Sequence, residues 1–227
     1  MELLKTNIPG LDDVLGGGIP RNSIVYSSGA PGTGKSILGI QFLIEGIKKT
    51  GEVGLYLTIE EHRDKLIEYM STLGWDLRTM EDLRQLVIID YPHHEVEQLI
   101  STTNPLKEMI EDAGISRVVI DSIVPIALSF ETDFERKRTF LKLIANMSGW
   151  DATVMVIGED IAANPSKGIP ITKYGFESLA DGWIHMYYVR ESNMRTRYME
   201  IIKLKGMKHS NKLHRFEIEN KGIRIIP

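Results

Sequence analysis

The chain has 227 residues, of which 42% are apolar and 26% charged, and a net charge of −4. That length suits one domain around a single large core, and the mild acidity argues against a general polyanion binder. The absence of cysteine excludes disulfides, thiolate metal sites and cysteine catalysis, and fits a cytoplasmic address.

The opening residues 1–10 show no basic segment ahead of an apolar stretch, so no signal peptide is expected. No apolar run approaches the ~20 residues that span a bilayer, so no membrane segment is expected either. Short β-branched or aromatic runs at 23–28, 53–59, 86–90, 117–123 and 152–158 predict strands. Longer segments with helical spacing lie between them. Ile37, Ile40, Phe42, Leu43 and Ile47 make one apolar face, and Leu66, Ile67, Met70 and Leu73 a second. Phe140, Leu141, Ile144, Ala145 and Met147 make a third. Buried strands alternating with helices imply parallel β-α-β units with both sheet faces covered. Residues 162–175 have loop composition. Beyond about residue 182 the helices stop, and runs at 182–189, 197–204, 214–219 and 222–227 read as successive strands. The expected fold is α/β: a mostly parallel, helix-flanked sheet with an antiparallel C-terminal extension, in one domain over 1–227.

Charge is uneven along this frame. Residues 190–215 hold eight Lys or Arg against two Glu. That basic stretch includes Lys203, Lys205 and Lys208, with His209 closing the run. A solvated turn between strands would explain it; so would a partner site for phosphate.

The segment GAPGTGKS, from Gly29 to Ser36, fits G-x-x-x-x-G-K-[ST]. Gly29, Gly32 and Gly34 let the backbone curl, so that the N–H groups of the loop, which runs through Ala30, Pro31 and Thr33, can surround a phosphate chain. Lys35 brings positive charge to the outer phosphates, a catalytic as well as a binding role. Ser36 offers a hydroxyl to Mg²⁺. Ile37 continues the first helical turn, whose positive dipole end faces the anion. Asp121, at the tip of the strand RVVID, is the expected second metal contact. Glu60 and Glu61, at the tip of YLTIEE, are candidates to orient or deprotonate the attacking water.

Taken with these motifs, the segments 8–23, 58–77, 118–127, 173–184 and 203–227 resemble the KaiC-like branch of the RecA-like P-loop ATPases, nearly end to end. The resemblance implies a RecA-type fold, ATP with Mg²⁺ as ligand, and self-assembly into a ring, hexameric in such relatives, or a filament. Nucleotide would lie at subunit boundaries. It also implies that KLKGMKH, 203–209, reaches the neighbour's nucleotide. Lys203 and Lys205 would be the trans cations, while Leu204, Met207 and His209 line the neighbour's pocket. Thr72 falls where such relatives carry a nucleotide-contacting hydroxyl. There are three departures: the first and third point to slow turnover or nucleotide sensing, the second to a weaker sugar hydrogen bond. Lys205 stands where arginine is common, Met207 where a hydroxyl is common, and VIGED, 156–160, lacks paired hydroxyls before its glutamate.

Three functions compete. The first is a KaiC-like ATPase whose nucleotide state controls assembly or the binding of a protein partner. The second is a recombinase-like DNA-binding ATPase, disfavoured by the few cations in 160–177. The third is an ATP-binding switch without turnover. Trp75, Trp183, Tyr187 and Tyr188 are expected to pack as core or strand residues. His62, His185, His214 and the pair His93–His94 are not read as metal ligands.

Overall fold

A computed structural model describes residues 1–91 and 105–226; the His93–His94 pair lies outside them. A short ladder of β1 (Leu3–Leu4) and β2 (Ile19–Pro20), with α1 (Leu11–Val14) between, precedes the main sheet. The Asp12 carboxylate pins this entry segment by accepting from the Thr6 N–H (2.8 Å), the Thr6 hydroxyl (2.7 Å) and the Asn7 N–H (3.0 Å).

The core of the fold is a nine-stranded sheet among the described residues. Its order is β11-β10-β9-β8-β3-β7-β6-β4-β5. The parallel part comprises β3 (Ile24–Gly29), β4 (Val53–Thr58), β5 (Leu86–Asp90), β6 (Ile115–Asp121), β7 (Thr153–Glu159) and β8 (Gly182–Glu191). β9 (Met194–Leu204), β10 (His214–Glu219) and β11 (Gly222–Ile225) extend it antiparallel beyond β8. Every expected strand is present; β9 starts earlier than its composition suggested, at Met194.

Helices cover both faces, as parallel strands buried on two sides require. On one face lie α2 (Lys35–Thr50), α3 (Arg63–Ser71) and α4 (Leu77–Asp82), packed with Ile184, Met186, Met199 and Ile201 of the antiparallel side. On the other lie α5 (Pro105–Asp112), α6 (Val124–Leu128) and α7 (Asp133–Met147). Trp75 and Trp183 are buried in these cores, and so are Tyr187 and His185. Tyr188 is half-buried.

One helical face differs from expectation. In α7 the buried residues are Thr139, Phe140, Leu143 and Met147, while Leu141 and Ala145 face solvent. Leu141 lies about 100° around the helix from Phe140, so the two cannot share one narrow stripe.

The link from β7 to β8 crosses the sheet without an α-helix. Both strands run the same way, on either side of β3. Residues 160–181 must therefore travel back from the carboxyl edge of the sheet to its amino edge. A helix usually makes that journey. Here Pro165, Gly168, Pro170 and Gly175 interrupt any helix, and only two 3₁₀ turns form, at Pro165–Lys167 and Phe176–Ser178. Phe176 anchors the crossing in the core, 5.3 Å from the Tyr26 ring and 5.1 Å from the Phe140 ring.

Candidate functional site

The glycine loop leaves the carboxyl end of β3, the central parallel strand, where β7 and β8 flank it. Crevices outside the carboxyl ends of such sheets are where ligands sit in open α/β folds. Gly29, Gly32 and Gly34 all have φ between 79° and 154°, a region that side-chain-bearing residues rarely occupy. Gly29 has a second reason to be glycine: a Cβ there would lie 2.3 Å from the Met186 carbonyl oxygen. Thr33 is fully buried and donates its hydroxyl to the Ala30 carbonyl (2.9 Å), fixing the turn around Pro31. Gly34 caps α2, whose first residues are Lys35 and Ser36, with Ile37 half-buried against the core.

Lys35 folds back over the loop. Its Nζ donates to the Gly29 carbonyl (2.8 Å) and the Ala30 carbonyl (3.0 Å). Burial pulls its pKa below the ordinary lysine range, and the negative charges of Glu159, Asp121, Asp160 and Glu60 oppose that pull. Four carboxylates around one partly buried lysine make a site poised for further positive charge.

Asp121 ends β6 beside the loop. Burial raises its pKa, while hydrogen bonds from the Ser36 and Tyr56 hydroxyls and the charge of Lys35 work the other way. The Tyr56 bond is short, 2.5 Å. Ser36 and Asp121 share the wall of a cavity of about 340 Å³ with Tyr56, Thr58, Glu60, Glu61, Leu66, Tyr69 and Met70. A hydroxyl and a carboxylate set side by side in an oxygen-lined cavity fit a hard divalent cation such as Mg²⁺.

The two glutamates lie in the turn after β4, not on the strand itself, which ends at Thr58. Their fixing differs. The Glu60 carboxylate accepts from the Ser122 hydroxyl (2.5 Å), and Ser122 follows Asp121 directly. Glu61 is held through its backbone, its carbonyl accepting from the Thr58 hydroxyl (2.5 Å).

Several residues at this edge carry no sequence motif. Arg197 of β9 donates from Nε (3.2 Å) and Nη2 (3.0 Å) to the Gly32 carbonyl, and its guanidinium stacks 4.2 Å above the Tyr188 ring. In sequence it is simply one cation of the basic stretch. Ser28, the last residue before the loop, pairs with His185 Nδ1 (2.7 Å) and accepts from Trp183 Nε1 (2.8 Å). Burial, then the charge of Lys35, depresses the His185 pKa to about 4, so the ring is neutral at pH 7.

The remaining candidates lie elsewhere. Thr72 caps the end of α3, returns its hydroxyl to the Tyr69 carbonyl (2.7 Å), and does not line the Ser36–Asp121 cavity. Lys203 donates to the Glu177 carbonyl (2.7 Å), and Lys205 pairs with Asp181 (3.0 Å). Both sit at the amino edge of the sheet, where Leu204 pairs with Gly182 and Gly182 with Val25. Leu204 is buried in its own core, its strand paired with Gly182 and its carbonyl accepting from the Met207 N–H (3.2 Å), which leaves it closed to a neighbour and corrects its expected place in the neighbour's pocket. Met207 packs partly on the same core, and His209 Nδ1 lies 2.9 Å from the Ser210 carbonyl.

A glycine loop opening a helix at the carboxyl end of a central parallel strand, with an acid on β6 beside it, defines a P-loop nucleoside triphosphatase of the RecA-like kind. The model of the family described as "ATPase: KaiC" matches residues 4–227, and the chain belongs to that family. It is 34% identical to a UPF0273 protein of Aeropyrum pernix, over all of this chain and 94% of that one. It is 31% identical to the circadian clock oscillator protein KaiC of Synechococcus elongatus, over 99% of this chain but only 44% of that longer protein. Among solved structures, it matches a KaiC-like protein of Pyrococcus horikoshii with a TM-score of 0.86 and 30% identity, covering 100% of this chain and 99% of the other.

Proposed function

We propose that this KaiC-family chain binds Mg-ATP at the boundary between two copies of itself, hydrolyses it slowly, and thereby controls its own assembly or a protein partner. One observation carries the boundary reading. Arg197 touches the chain's own P-loop at Gly32. β9 then runs extended toward the opposite edge of the sheet. At ~3.4 Å per residue, Lys203 lies about 20 Å along that strand and Lys205 about 27 Å. Neither lysine can reach the loop of its own chain. Two halves of a site on opposite edges meet only head to tail, which builds a closed ring or an open filament.

In this reading, the loop's N–H groups and Lys35 hold the triphosphate. Ser36 and Asp121 hold Mg²⁺, which offsets phosphate charge when bound. Glu60, fixed by Ser122, orients a water and accepts its proton as the water's oxygen bonds to the γ-phosphorus and ADP departs. Lys203 and Lys205 of the adjacent copy offset charge on the γ-phosphate oxygens. Met207 and His209 of the adjacent copy line the pocket. Turnover is slow because Lys205 makes a point contact where a guanidinium would make two.

The test is phosphate release per subunit over a range of protein concentrations, for wild type and Lys205→Ala. The reading expects specific activity to climb with concentration in wild type and to stay flat and low in the variant. Equal, concentration-independent activities, with light scattering showing that assembly did change, would remove the boundary site. Retention of ATP without phosphate release by either protein would leave a non-hydrolysing switch.

A further inference from the structure

Segment 160–181 touches both half-sites of its own subunit. At the carboxyl edge, the Asp160 N–H donates to the Gly29 carbonyl (3.1 Å), the same oxygen that receives Lys35 Nζ. The Asp160 carboxylate accepts through Oδ1 from the Lys173 N–H (2.9 Å), closing the excursion 161–172. The residue is 4% exposed, and burial raises its pKa, while the Lys173 N–H and the nearby Ser28 hydroxyl, at the end of β3, favour the charged carboxylate. A buried carboxylate is a costly way merely to close a loop, and this one lies between the P-loop strand and the Lys173 backbone.

From there the segment descends the α7 face. Glu177 gives its carbonyl to Lys203. At the amino edge, Asp181 is fixed to β3 by two bonds, its N–H to the Ile24 carbonyl (2.8 Å) and the Ile24 N–H to its Oδ2 (3.1 Å). It holds Lys205 by two more, a backbone bond (Lys205 N–H to the Asp181 carbonyl, 2.9 Å) and the ion pair at Oδ1. That pair is more than a third exposed on each side, so it can rearrange at little free-energy cost. One stretch of chain thus links the P-loop of a subunit to the two lysines that subunit would offer its neighbour.

We propose that Asp160 is a positioning residue that couples adjacent sites: it ties segment 160–181 to the P-loop, so that the nucleotide state of one site sets the placement of Lys203 and Lys205 in the next. The coupling presupposes that these lysines act in trans. A shift of the Gly29 carbonyl on phosphate binding moves Asp160, whose side chain passes it through the Lys173 N–H to the strap that holds Lys203 at the Glu177 carbonyl and runs on to Asp181, anchored on β3 beside the loosely paired Lys205. Each site then reports to the next around the assembly, and hydrolysis is cooperative in ATP.

The experiment is phosphate release against ATP concentration, at a protein concentration where scattering shows assembly already complete, for wild type, Asp160→Ala, Asp160→Asn and Lys205→Ala. The coupling expects a wild-type Hill coefficient clearly above about 1, falling to about 1 in Asp160→Ala. Asp160→Asn keeps an oxygen for the Lys173 N–H and is expected to restore the sigmoidal curve, which also shows that the site tolerates substitution. A hyperbolic wild-type curve overturns the coupling. So does an Asp160→Ala curve as sigmoidal as wild type while Lys205→Ala is inactive; that outcome leaves the trans site standing. Unchanged turnover in Lys205→Ala overturns the trans site and the coupling together.

Discussion

Glu60 and Glu61 are neighbours of the same type at one strand tip, and sequence offers little ground for choosing between them. Their hydrogen bonds do. A carboxylate held by a neighbouring hydroxyl has fewer orientations to lose when it must aim at a water. Ser122 supplies that restraint to Glu60 alone. Glu60→Gln keeps the acceptor for Ser122 and removes the base, so kcat should fall by about 10²–10⁴. Glu61→Gln should lose far less. Single-turnover rates at saturating Mg-ATP measure both, and the reverse ranking would transfer the role to Glu61. Lys35, Ser36 and Asp121 were each legible from sequence, because the motif fixes their spacing and one strand tip fixes the acid. Arg197 and Asp160 were not. Each touches the loop through a backbone carbonyl, and a carbonyl leaves no trace in residue type.

At the scale of elements, α2 shows why the loop stays in place. Gly34 starts it, and Gly51 ends it in the left-handed region with Lys48 and Lys49 in the last turn, where cations suit the helix dipole. Beneath it lies Arg117 of β6, 1% exposed, bonded to the Phe42 carbonyl (2.9 Å), the Lys5 carbonyl (2.7 Å) and Glu52 (2.6 Å). Gly46 makes room for it: a Cβ there would lie 2.2 Å from Arg117 Nε. Burial pushes the Glu52 pKa up, but the Thr50 hydroxyl and Arg117 outweigh it and hold the carboxyl below its usual range. Glu52→Gln strands a buried guanidinium and should destabilise the fold by about 3 kcal/mol at pH 7. Arg117→Met should lose less charge balance, since Glu52 keeps Arg21 (3.1 Å). The sign with pH comes from the depressed pKa. Glu52's contribution is complete above the unfolded carboxylate range and is lost as pH falls through the lower folded value. Urea midpoints of wild type and Glu52→Gln should therefore converge in acid; a gap that stays constant down to about pH 3 contradicts the pair's role.

At the scale of the whole molecule, the two proposed half-sites lie on opposite edges of the sheet. The carboxyl edge gathers Asp121, Glu60, Glu159 and Asp160 around Lys35. The amino edge presents Lys205, exposed and paired with Asp181, within the basic stretch. Gly16 helps to seat that stretch, since a Cβ there would lie 2.0 Å from the Lys208 carbonyl. A half-site on each edge favours a head-to-tail partner over a face-to-face one. If Lys205 enters the neighbour's site, Lys205→Arg adds a planar, two-pronged phosphate contact and should raise kcat at least about tenfold in the assembled protein. Unchanged turnover in that variant, with assembly intact by scattering, would place Lys205 outside the reacting phosphate.

From the sequence alone the glycine loop, the acid at the tip of β6, the alternation of strands and helices, and the antiparallel ending could be read. These are local properties: a motif's spacing, a strand's composition, a helix's period. The sequence misjudged the buried stripe of α7, where neighbouring apolar residues compete and only the packing partner decides. It could not say that Lys203 and Lys205 lie at the edge opposite their own P-loop, nor that 160–181 joins the two edges. Those facts depend on strand order and direction, and pairings between residues more than a hundred positions apart, such as Ser28 with His185 or Gly32 with Arg197, exist only once the sheet has assembled.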